Sequence, residues 1–132
     1  MEEIIVFNES HILVKYLPKL EWIVAVWKGP QTFEIVVDSL EKLLAAIKMY
    51  GCEKVLVDQS ALKGPWINAA KWLETDFLPR LVSSTCRYFA WVQSPDPSYQ
   101  RGTENVVKMD VWKLQYLIFD DFKTAEAWLS EV

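Results

Sequence analysis

The sequence predicts an α/β domain built on a mixed sheet of about five or six strands, with its helices mostly on one face. Three observations carry that prediction. From residue 22 onward, short apolar runs of strand length alternate with longer stretches of helical periodicity. The runs in the middle of the chain are apolar on both faces, as in Trp22-Ile23-Val24-Ala25-Val26-Trp27, which suits central strands covered on both sides. Alternation of strand and helix implies parallel neighbours joined by right-handed crossovers, and two consecutive strands near the N-terminus add an antiparallel part.

In chain order, residues 3–7 (EIIVF) read as a first strand and Asn8 to Ser10 as a polar turn. Residues 11–17 (HILVKYL) and 22–28 (WIVAVWK) form two more, joined by Pro18-Lys19-Leu20-Glu21. Gly29-Pro30 ends the third strand, and Thr32 is placed to cap a helix with Glu34 in its first turn. Phe33, Val36, Val37, Leu40, Leu43, Leu44 and Ile47 recur at intervals of three and four, and that helix ends at Tyr50-Gly51.

KVLVD, residues 54–58, is a short buried strand. Gly64-Pro65 opens a second helix whose stripe is Trp66, Ala70, Leu73 and Phe77, and Pro79 kinks or restarts it. Residues 86–93 (CRYFAWVQ) form the next strand, Pro95 and Pro97 interrupt the chain, and Tyr99 to Asp110 is weakly helical around Gly102. Residues 113–119 (KLQYLIF) form the last strand. Asp120 or Asp121 then caps a final helix with Phe122, Ala125, Trp128 and Leu129 on one face.

The chain is 132 residues long, enough for one domain with a real core, and nothing divides it: residues 1–132 read as a single unit. Apolar residues make up 52 %, which excludes a disordered polymer. The apolar runs are too short to span a bilayer, and the acidic start Met1-Glu2-Glu3 is unlike a secretory signal, so the expected location is the cytoplasm. The net charge is −4, with lysines and arginines scattered, which disfavours a nucleic-acid partner.

The chemistry is narrower still. One histidine, His11, and two isolated cysteines, Cys52 and Cys86, do not make a zinc set. The cysteines read as inert core or boundary thiols rather than a disulfide or redox pair. All four glycines are isolated and neither phosphate-loop pattern occurs, so no cofactor is expected. His11 opens a strand of the N-terminal hairpin, away from Asp58 and Ser60, so no catalytic triad is legible and no enzyme is expected. Asp120-Asp121 resembles a carboxylate pair, but a helix cap explains it more simply.

The richest stretch is KVLVDQSALKGPW, residues 54–66. A strand ends there in Asp58, Ser60, Lys63 and Gly64, at the carboxyl end of a parallel strand, where open α/β sheets place their ligands. Asp58 and Ser60 also suit a hydrogen-bonded turn. Of seven tryptophans, Trp22, Trp27, Trp91 and Trp128 fall on core positions. Trp66, Trp72 and Trp112 are not readily assigned, and Trp66 beside the loop is placed to anchor a partner or line a pocket.

Several segments together are similar to one family. They are AVWKGP, VLVDQSALKG, KWLETDFLP, YFAWV and IFDDFKTAEAWL, spread over roughly residues 10–130. The chain resembles the SpoIIAA-like family of STAS domains, the sulphate transporter and anti-sigma factor antagonist fold. The resemblance implies a non-enzymatic regulatory domain that docks a protein partner. In anti-sigma factor antagonists a serine at a helix N-terminus, beyond this strand, is phosphorylated to switch binding. Here the helix begins Lys63-Gly64-Pro65-Trp66, so that switch is not expected. The candidate contact residues are Asp58, Ser60, Lys63, Gly64 and Trp66. The alternative is a carrier or sensor of a small apolar, lipid-like ligand in a Trp-lined pocket. A homodimer through an aromatic patch is compatible with the composition.

Overall fold

The structure is a computed structural model that describes residues 2–64, 69–100 and 114–132. It is α/β, with a single mixed six-stranded sheet in which strand order follows chain order. The strands are β1 (Ile4–Asn8), β2 (Ile12–Leu17), β3 (Trp22–Trp27), β4 (Lys54–Asp58), β5 (Tyr88–Val92) and β6 (Gln115–Phe119). β2 pairs antiparallel with both β1 and β3, and β3 to β6 pair in parallel. Each strand falls within a residue or two of the run that predicts it, and the parallel half needs crossovers, which the helices supply.

Helix α1 (Phe33–Tyr50) joins β3 to β4. Thr32 caps it by accepting the Ile35 amide at 3.2 Å, and Gly51 ends it in the left-handed region at φ 62°. Val36, Leu40, Leu43 and Ile47 of the predicted stripe are buried, whereas Phe33, in the first turn, is exposed.

The connection from β4 to β5 contains α2 (Ala70–Trp72), a π-helical turn (Leu73–Phe77) and α3 (Leu78–Ser83). Residues 65–68 lie outside the described residues, so the predicted opening at Pro65-Trp66 does too. The π turn sits immediately before Pro79 for a physical reason. A regular helix would press the proline ring against the Thr75 carbonyl, and proline has no N–H to offer it. The Leu78 amide instead reaches back five residues to Leu73 O, and the wider turn accommodates the ring. Where a kink or restart was expected at Pro79, the structure has a π turn within one continuous helical run.

Residues 97–100 are helical; the rest of the expected segment to Asp110 lies outside the described residues. The last helix, α4 (Phe122–Glu131), is capped by Asp121, which accepts the Thr124 amide at 2.8 Å.

The two faces of the sheet carry separate cores. Ile23, Ala25, Trp27, Val55, Val57, Phe89 and Trp91 project with α1, the π turn and α3 into the larger one. Trp22, Val24, Leu56, Ala90 and Val92 project to the opposite face, where α4 adds Ala125 and Leu129. Strand residues alternate between faces, so the central positions of β3, β4 and β5 must be apolar on both faces, as Val55-Leu56-Val57 and Phe89-Ala90-Trp91 are. The crossover helices share one face, as successive right-handed crossovers between neighbouring strands demand. No helix among the described residues is long and apolar enough to cross a membrane.

Candidate functional site

The carboxyl ends of β4 and β5 lie side by side, with Asp58 opposite Val92. The Gln59 amide continues the ladder by donating to Val92 O at 2.9 Å. The loop after β4 then alternates between inward and outward residues. Gln59 and Leu62 are buried, while Ser60, Ala61 and Lys63 are exposed.

Asp58 shapes the start of this loop. Its Oδ1 accepts the Ser60 amide at 3.0 Å and the Ser60 hydroxyl at 2.6 Å. An aspartate that binds the backbone two residues on forms an Asx turn, which reverses the chain without a helix or ladder. The Leu62 amide closes the next turn on Gln59 O at 3.1 Å.

Below the loop lies a buried polar knot. Trp91 Nε1 donates to Tyr99 OH at 2.9 Å and to Gln59 Oε1 at 3.1 Å, and the Tyr99 hydroxyl donates to the same Gln59 oxygen. Burial pushes the Tyr99 hydroxyl pKa upward, so it stays protonated and keeps donating. A buried indole N–H and phenol must find partners, and one glutamine carbonyl serves both.

The β5 loop ties down the far side. Ser94, itself buried, donates to Leu62 O at 2.6 Å. Asp96 Oδ2 accepts the Gly64 amide at 2.6 Å, and its Oδ1 accepts the Ser98 amide at 3.0 Å. Gly64 adopts φ 80°, where a side chain would be strained. Gln100 Nε2 closes the arrangement on Ser94 O at 3.0 Å. The loop is thus held at Gln59, Leu62 and Gly64, and it presents Ser60, Ala61 and Lys63 between those points.

Of the predicted contact residues, the structure brings together Asp58, Ser60, Lys63 and Gly64 on this one loop. Trp66 lies outside the described residues, as does Trp112. Trp22, Trp27 and Trp91 are buried as expected. Trp128 is half-buried and meets Tyr88 edge-on and Phe119 at a tilt. Trp72 packs against the larger core and stacks on Phe77 at 6.0 Å.

The remaining polar residues are occupied elsewhere. His11 follows the β1–β2 turn, where its carbonyl accepts the Lys28 amide at 3.0 Å. That places its backbone two strands from β4, about 10 Å by strand spacing. Its ring meets Asp38 Oδ2 at 2.7 Å, and Lys42 Nζ meets the same carboxylate at 2.7 and 2.8 Å. Asp120 accepts Gln93 Nε2 at 3.0 Å, while Asp121 caps α4. Among the described residues no three His, Cys, Asp or Glu side chains converge as metal ligands.

Sequence reasoning missed Gln59, Ser94, Asp96 and Tyr99. One signal pointed to them: Trp91 on a buried strand needs a hydrogen-bond acceptor, and Gln59 is the first polar residue beyond the neighbouring strand end.

Searched against family models, curated proteins and solved structures, this chain matches none.

Proposed function

We propose that this chain is a non-enzymatic binding or regulatory domain that docks a protein partner on the loop after β4. The observation that carries the reading is the alternation within that loop. Its inward residues are buried and hydrogen-bonded to the β5 loop, so its outward residues, Ser60, Ala61 and Lys63, stand in a fixed presentation. A surface ordered before binding loses little conformational entropy on association, and that economy favours recognition. The position at the carboxyl end of a parallel strand supports the reading, as does the resemblance to STAS domains.

The chemistry of Ser60 supports docking over catalysis. Its hydroxyl donates to a carboxylate with no imidazole beside it, since His11 is engaged with Asp38. The same bond argues against a phosphoserine switch at this position. A phosphoryl group on Ser60 would bring close to two negative charges against the Asp58 carboxylate and break the turn.

Native mass spectrometry of the protein isolated from its own cells tests this reading. A second polypeptide retained at defined stoichiometry supports it. Bare chain, or chain carrying only a small apolar molecule, rejects it.

A further inference from the structure

β1 (Ile4–Asn8) stands at one edge of the sheet, and among the described residues only β2 pairs with it. A strand so placed turns one row of backbone amides and carbonyls outward, ready to pair with a further strand. The side chains leave that approach open on both faces. Ile4 stands opposite Tyr16 and Ile5 opposite Lys15, so the two isoleucines project to opposite faces. They are 40 % and 53 % exposed. Single exposed apolar residues are ordinary on a surface. Two in succession on an edge strand leave apolar area on both faces, which one added strand would cover.

The charges around β1 say what covers it. Glu2 and Glu3 precede the strand, Glu9 follows it, and the first lysine or arginine of the chain is Lys15. Lys15 Nζ meets Glu3 at 2.9 Å. Lys42, whose ammonium lies 5.9 Å from the centre of the Phe7 ring, is bound to Asp38. Glu2 and Glu9 are exposed, one beyond each end of the strand.

A second copy paired antiparallel over the full strand would set Glu3 opposite Glu9 at both ends. A parallel copy would set each glutamate beside its own counterpart. Like charges so placed oppose pairing. A segment with lysine or arginine at each end instead meets an acid at each end, in either strand direction. The register breaks between Ile5 and Phe7, and such a bulge adds twist, so the stretch a new strand can follow is short.

We propose that the outer edge of β1 is a second docking site, taking a short extended segment of another protein that is apolar in its middle and basic at both ends. The segment adds a seventh strand. Backbone pairing supplies the contact and the charged ends supply the selection. The site is three strands from β4, so it does not depend on the loop that follows that strand.

Titration of the full chain with the synthetic peptides KVVTVVK and EVVTVVE at low salt, read by amide NMR, tests the proposal. KVVTVVK is expected to shift the β1 amides, to slow their exchange with solvent, and to bind about tenfold more tightly than EVVTVVE. High salt should narrow that ratio. Glu2→Lys/Glu9→Lys, both at exposed positions outside the strand, should reverse the preference. Four results overturn the proposal. KVVTVVK leaves the β1 amides unmoved at millimolar concentration, or its shifts gather on β6 or on the loop after β4. Wild type and the double variant prefer the same peptide. The β1 amides broaden as the protein alone is concentrated, which places a second copy on the edge.

Discussion

Ser60 Oγ donates to Asp58 Oδ1 at 2.6 Å, and the Ser60 amide reaches the same oxygen at 3.0 Å. One carboxylate oxygen thus turns the chain at the end of β4 and fixes the direction of the exposed Ser60. Asp58→Ala removes both bonds and should cost about 1 kcal/mol. Asp58→Asn keeps an acceptor in place and should stay near wild type. Urea midpoints measure the cost, and amide exchange at Ser60 reports whether the turn has opened. Equal midpoints and equal exchange in the alanine variant would show that Asp58 does not shape the loop.

The knot beneath the loop should be worth more than the turn, because it is buried. Tyr99→Phe deletes the hydroxyl that Trp91 Nε1 and Gln59 Oε1 share. Trp91 keeps its bond to Gln59, so the expected loss is about 1–2 kcal/mol. The denaturant midpoint should fall at an unchanged slope, with a shift in Trp91 fluorescence. A neutral substitution would contradict the arrangement.

Ser39 offers the opposite case. It is fully buried on α1, and its hydroxyl has no hydrogen-bond partner among the described residues. Burying an unpaired hydroxyl is unfavourable, and alanine is the better helix former. Ser39→Ala should raise stability by about 1 kcal/mol in thermal or urea unfolding. A loss of stability would mean that the hydroxyl has a partner.

Acid stability should depend on Asp38. Hydrogen bonds from Lys42 and His11 hold its carboxyl below the ordinary value of 3.8. The folded chain therefore binds this proton less readily than the unfolded chain. The stabilisation is fully present above pH 3.8 and is lost as pH falls through the lower folded-state value. The carboxylate is 43 % exposed, so solvent screening keeps the contribution small. Unfolding midpoints from pH 5 down to pH 2 should fall less steeply for Asp38→Asn than for wild type. Parallel curves would remove the Asp38 tie from the account.

Much of this architecture was legible because each local rule pointed the same way. Strand residues apolar on both faces required a two-sided sheet, and Trp22 and Trp27 are buried on opposite sides of it. Thr32 and Gly51 marked the ends of α1 by chemistry that works over three or four residues. Phe33 departed from the periodic stripe because a residue in a first turn can point past the end of the sheet. Asp58 and Ser60 were legible as a turn because their bond spans two residues.

What the sequence hid is what depends on strand register. Gln59 lies 32 residues from Trp91 and 40 from Tyr99, and it reaches them where its amide continues the β4–β5 ladder onto Val92. Periodicity shows that a strand is buried, and it does not show which residue stands opposite.

The central claim is that the loop after β4 docks a protein partner. Its most direct test is capture from the protein's own cells with three forms: wild type, Ser60→Glu/Lys63→Glu, and Glu126→Lys on the exposed side of α4. Quantitative mass spectrometry of what each retains gives the readout. The account predicts that one polypeptide is retained stoichiometrically by wild type and by the α4 variant and is depleted at least tenfold with the loop variant, a loss of about 1.4 kcal/mol or more. A partner retained equally by all three would contradict it.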